Sequence, residues 1–197
     1  MRNKKNNVIL IFLILTLFLI AHTSGFALEN LTAKEAYDMV CKGDAVLIDI
    51  RTIEEAVFVG VPSCESSGKQ IAYLIPYNIW DGSIPVIEPK SLPKNPDFLK
   101  LIEKTFPDKD KSLITMCREG NRCDMAAFEI MQLGYKKVYQ IDSEHGGCGG
   151  FSGSLYFGEY AGHVARPCDK TEKVSWREMG LPTTLDLDPE KIPKLED

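Results

Sequence analysis

Histidine is scarce in this chain, and closely paired cysteines are missing. Only 3 of the 197 residues are His, and His145 and His163 are the two that lie beyond residue 27. The 6 cysteines never stand two residues apart, which removes the usual zinc-knuckle and haem-attachment patterns. A metal site would have to be assembled from His145, Cys148, His163 and Cys168, which do not fall in a ligand spacing, so no metal and no cofactor is expected. No glycine-rich nucleotide loop, internal repeat or low-complexity linker is present. Positive charge is not in excess either: 23 Lys and Arg stand against 28 Asp and Glu, for a formal net charge of −5. Neither nucleic acid nor an anionic membrane surface is therefore an expected partner.

A membrane-length apolar run is also lacking. Val8 to Ala21 is almost unbroken in its apolarity, but a span needs roughly 20 such residues. The run follows the basic stretch Met1-Arg2-Asn3-Lys4-Lys5 and leads to small residues ending in Gly25-Phe26-Ala27. This order predicts a secretory signal peptide over residues 1–27, the alternative being an uncleaved anchor. The expected location is outside the cytoplasm, periplasmic or secreted, with no stable membrane association once the signal is removed.

What remains has the size of one domain. Apolar strand-like runs (Ala45–Asp49, Ala72–Pro76, Ser112–Met116, Lys137–Ile141) alternate with helix-like stretches (Thr32–Lys42, Asn95–Phe106, Cys123–Leu133). Such alternation predicts an α/β fold, a central and mostly parallel β-sheet with helices on both faces. Thr32 with Glu35 reads as a capping box, and Gly134 as a helix stop. The expected domain is 28–185, followed by an exposed C-terminal extension, 186–197. Trp80 and Trp176 read as packing residues.

The chemistry concentrates in Cys117-Arg118-Glu119-Gly120-Asn121-Arg122. This loop joins an apolar strand to a helix, and in an α/β fold it falls at the carboxyl edge of the sheet, where ligands bind. Backbone N–H groups converging at such a turn, beside a helix N-terminus, favour an anion on sulfur. Two arginines add fork-shaped donors, and the glycine lets the backbone curl. A buried packing cysteine is the plain alternative. Four residues separate Cys117 from Arg122; cysteine-loop phosphatases use five, so this cradle suits a single sulfur atom better than a phosphoryl group.

The loop resembles that of the rhodanese family of sulfurtransferases. The likeness extends to Ala45–Glu55, with its Asp49-Ile50-Arg51 ending, to Phe58–Pro62 and Ile75–Asn78, and to Gly150–Gly153, Gly162-His163 and Trp176–Pro182. It runs from about Leu31 to Pro182. The resemblance implies a rhodanese-like fold and a nucleophilic Cys117 that carries a sulfane sulfur as a persulfide. Arg118, Glu119, Gly120, Asn121 and Arg122 would be the donor-binding residues. The implied partners are a small sulfur-containing donor such as thiosulfate and a thiol or cyanide acceptor. Asp49 and Arg51 read as structural. The sequence departs from the family at Val61, at the longer segment Ser63–Gln70, at Glu119, whose charge should weaken thiosulfate use, and at Cys123. Rival readings are a non-catalytic rhodanese-like binding or sulfur-carrier module, and a phosphatase or oxyanion reductase on the same architecture.

The irregular stretches Gly60–Gln70 and His145–Lys173 are expected to overhang the active-site face; Phe151, Tyr156, Phe157 and Tyr160 make the second either a packed lid or a plain surface Ω-loop. Among the cysteines, Cys41 reads as a lone packing thiol. Cys123 reads as a buried small residue, with a resolving role opposite Cys117 as the alternative. One disulfide is expected among Cys64, Cys148 and Cys168, with Cys148–Cys168 favoured.

Overall fold

The computed structural model describes residues 28–80, 92–118, 120, 122–141, 150–151 and 175–195. The predicted signal segment, Glu119, Asn121, His145, Cys148, Tyr156, Phe157, Tyr160, His163 and Cys168 lie outside the described residues.

Five strands form a parallel sheet in the order β1-β6-β5-β2-β4. They are β1 (Glu29–Leu31), β2 (Val46–Asp49), β4 (Tyr73–Leu74), β5 (Ser112–Met116) and β6 (Lys137–Ile141). A short antiparallel pair, β3 (Val61–Pro62) with β7 (Thr183–Thr184), makes a second sheet. The helices are α1 (Ala33–Lys42), α2 (Ile53–Val59), α3 (Phe98–Thr105) and α4 (Cys123–Gln132).

Side-chain alternation along the strands divides the core in two. Ile48 and Leu113 pack with Phe98, Ile102, Ala127 and Ile130 on the face covered by α3 and α4. Leu47 and Ile114, one residue along, face the other way with Ala33, Ala36, Phe151 and Trp176. The expected layering, helices on both faces of a parallel sheet, is the observed one. Helix α1 starts at Thr32, whose side chain and that of Glu35 form the capping box, and stops at Gly43, where φ is 85°.

Several expectations change. Helix α2 does not stand out by periodicity, being only 7 residues long, yet Thr52 and Glu55 cap it reciprocally. It carries the chain away from the carboxyl edge of β2, so the segment after Gly60 does not overhang that edge. It leads to the amino end of β4, where α1 also ends. Cys64 therefore meets Cys41 and the two are disulfide-bonded, with Cα atoms 6.0 Å apart. Cys41 is thus not a lone thiol, and Cys64 is unavailable to Cys148 or Cys168. Trp176 is fully buried and donates its indole N–H to Pro182 O at 2.8 Å, whereas Trp80 is only partly covered, with 42% of it exposed.

The tail is not a free extension. Leu187 and Ile192 pack on the small cluster of Ala56, Val61 and Leu74. Asp188 N–H donates to Gln70 Oε1 at 2.8 Å, and the Lys191 ammonium lies 4.2 Å above the Tyr73 ring. Among the described residues no helix is long and apolar enough to cross a membrane.

Candidate active site

Strand β5 delivers Cys117 to the carboxyl edge of the sheet, and α4 begins six residues later. Cys117 is 1% exposed. Gly120 N–H donates to its Sγ at 3.0 Å, and Cys123 N–H closes the turn onto Gly120 O at 2.9 Å. Gly120 sits at φ 99°, a conformation that strains any residue with a Cβ. The loop thus aims a backbone donor at sulfur, which favours an anionic over a neutral sulfur there.

Arg122 does not stand open to solvent. It is 3% exposed, and its two terminal nitrogens each donate at 2.8 Å to an oxygen of Glu55. Glu55 also accepts from Thr52 N–H at 3.0 Å, so one carboxylate both caps α2 and clamps the start of α4. Burial alone would raise the Glu55 carboxyl, but the charge and hydrogen bonds of Arg122 outweigh it and hold the acid below its ordinary range. For Arg122 burial likewise opposes the charge, and Glu55 more than restores it, holding the guanidinium above its ordinary range. Glu55 was not singled out from the sequence; its signal was the Thr52-x-x-Glu55 capping pattern.

A second support reaches the loop from behind. Asp49 and Arg51 are both buried, with Arg51 Nε donating to Asp49 Oδ1 at 2.9 Å and its Nη2 to Gly60 O at 2.8 Å. The guanidinium lies 3.9 Å from the centroid of the Phe151 ring, and Phe151 N–H donates to Cys117 O at 2.8 Å. At Gly150, φ is 73°, and a Cβ would come within 2.6 Å of Cys117 O and 2.7 Å of Arg118 O. The Gly150-Phe151 pair is therefore a seat for the loop backbone, a role the sequence did not disclose.

Cys123, the first residue of α4, is fully buried beside Cys117, and neither is in a disulfide. Burial pushes its thiol well up, and the neighbouring Cys117 pushes the same way. Arg118 is half-buried at the loop. Among the described residues no group of three His, Cys, Asp or Glu side chains is placed to hold a metal ion.

The sequence profile described as "Rhodanese-like domain" matches residues 32–144, more than half of the chain. The chain belongs to the rhodanese family. Its five-stranded parallel sheet with helices on both faces is the rhodanese fold. An uncharacterized protein of Rickettsia prowazekii (strain Madrid E) is 31% identical over 114 residues, which cover 57% of this chain and 80% of that one. The crystal structure of Rv0390 from M. tuberculosis, 25% identical, superposes with a TM-score of 0.55 and covers 82% of this chain and 100% of its own. A shorter stretch of 69 residues is 38% identical to the tRNA uridine(34) hydroxylase of Corynebacterium efficiens, covering 30% of this chain and 22% of that protein. The matched region, 32–144, holds both Cys117 and its Glu55–Arg122 clamp but stops short of the Gly150-Phe151 seat.

Proposed function

We propose that this rhodanese is a sulfurtransferase, moving a sulfane sulfur from a thiosulfate-like donor to a thiophilic acceptor through a persulfide on Cys117. The observation that carries the reading is the Gly120 N–H directed at Cys117 Sγ at 3.0 Å, at the carboxyl end of β5. In the first step the Cys117 thiolate attacks the terminal sulfur of the donor. A new S–S bond forms, and the donor's own S–S bond breaks with its electron pair leaving on sulfite. In the second step cyanide or a thiolate attacks the outer sulfur, and the bonding pair returns to Cys117. The loop amide holds negative charge on sulfur without moving between steps.

With the charge of Arg122 already met by Glu55, that arginine serves to hold the loop, and the donor's charge falls to Arg118 and the loop amides. The test is thiosulfate:cyanide transfer by Cys117→Ser. A hydroxyl neither ionises near neutral pH nor holds a sulfane sulfur, so transfer should be lost. Retention of more than a few per cent would overturn the mechanism.

The site of action we propose lies outside the cytoplasm. The Cys41–Cys64 bridge supports this, since such bonds persist in oxidising compartments. Cell fractionation with N-terminal sequencing checks it; an intact Met1 on a cytoplasmic protein would contradict it.

A further inference from the structure

Gln140 holds an arrangement that packing alone does not explain. It lies one residue from the end of β6 and is 3% exposed. Its amide nitrogen donates to Asp124 Oδ1 and to Asn30 Oδ1, both at 2.7 Å. Its own Oε1 is buried and has no partner among the described residues. Turning the amide over would set that oxygen against the Asp124 carboxylate, so the acid fixes the orientation. A buried amide that leaves its oxygen unsatisfied in order to donate twice carries a penalty, which calls for a reason.

The first turn of α4 supplies one. Arg122, at the N-cap, makes no capping hydrogen bond, and Asp124 is the acid of that turn. A carboxylate in a first turn is drawn to the unpaired N–H groups and the positive dipole end, the same features that favour an anion on Cys117. In the sheet, β5 runs between β6 and β2. The two charged side chains that flank Cys123 are therefore held to opposite sides of the strand that bears Cys117. Arg122 is held on Glu55 of α2, which follows β2, and Asp124 on Gln140 of β6 and Asn30 of β1. We propose that Gln140 is a positioning residue for sulfur transfer. It draws the Asp124 carboxylate towards β6 and β1 and so keeps the N-terminus of α4 for the Cys117 anion. This rests on the reading of Cys117 as the ionising nucleophile.

The test follows thiolate formation on Cys117 by ultraviolet absorbance against pH, with Cys117→Ser as the reference that assigns the signal. This readout does not depend on sulfur transfer, so the proposal can fail while the transferase reading stands, and the reverse. The other charged or titratable groups at the loop stay the same in every variant: Arg118 and Glu119 in its sequence, Cys123, Arg122 with Glu55, and Asp49 with Arg51 behind. Gln140→Leu releases Asp124 and should raise the Cys117 midpoint by about half a pH unit, the size of a first-turn charge effect. Adding Asp124→Asn to that variant should bring the midpoint back to the wild-type value or below it, which would not happen if Gln140 served packing alone. Met125→Asp puts an unheld acid into the same turn at an exposed position, and should raise the midpoint by a similar amount even if Gln140→Leu folds poorly. An unmoved midpoint in Gln140→Leu or in Met125→Asp, or a shift that survives Asp124→Asn, would overturn the proposal.

Discussion

Glu55 and Arg122 show how much of this site is decided by single side chains. Their bidentate contact is almost fully enclosed, and breaking such a pair strands a charge in the interior. Glu55→Gln should therefore destabilise the protein by roughly 3 kcal/mol at neutral pH, measured by urea unfolding. The pH dependence has a definite sign. Glu55 titrates below its ordinary value of 4.5 in the folded protein, so its contribution is complete above 4.5 and disappears as the pH falls through the lower folded value. The gap between wild type and Glu55→Gln should close in acid, and a gap that persists would show that Glu55 acts through shape alone. The position of Cys117, in the turn between an apolar strand and a helix, was legible from its neighbours in the sequence. Glu55 was not, because its partner lies 67 positions away and only the fold brings the two together.

At the scale of elements, the long strands and helices could be read from periodicity, and short ones could not. Helix α2 has 7 residues and a single fully buried one, Ala56, too little apolar pattern to announce itself. Missing it sent Gly60–Gln70 to the wrong end of the sheet and so hid the Cys41–Cys64 bond. That bond closes a loop of 23 residues, and its loss should cost about 3 kcal/mol. Cys41→Ser is expected to lower the melting temperature while leaving sulfur transfer per folded molecule unchanged. Lost transfer at full stability would place the bridge in the active site instead. The turn at Gly150 behaves oppositely. Gly150→Ala puts a Cβ against the carbonyls of Cys117 and Arg118 at a positive φ, at a cost of order 1–3 kcal/mol. It should depress transfer more than stability, since the strain falls on the loop itself. Equal transfer by the variant would show that the loop has another support.

The whole molecule places the Cys117 sulfur where the sheet's carboxyl edge, a helix N-terminus and a buried ion pair converge. The parallel sheet was legible because the buried strands carry clear apolar runs. The return of the tail was not, since Leu187 and Ile192 are isolated apolar residues among Pro and charge, and only the surface left by α2 and β4 gives them a place. The central claim is that Cys117 carries sulfur between two partners. Mass spectrometry of the protein after incubation with thiosulfate tests it most directly. The peptide holding Cys117 should gain the mass of one sulfur atom, and cyanide should remove it. An unmodified Cys117, or sulfur retained on Cys123 in its place, would contradict the account.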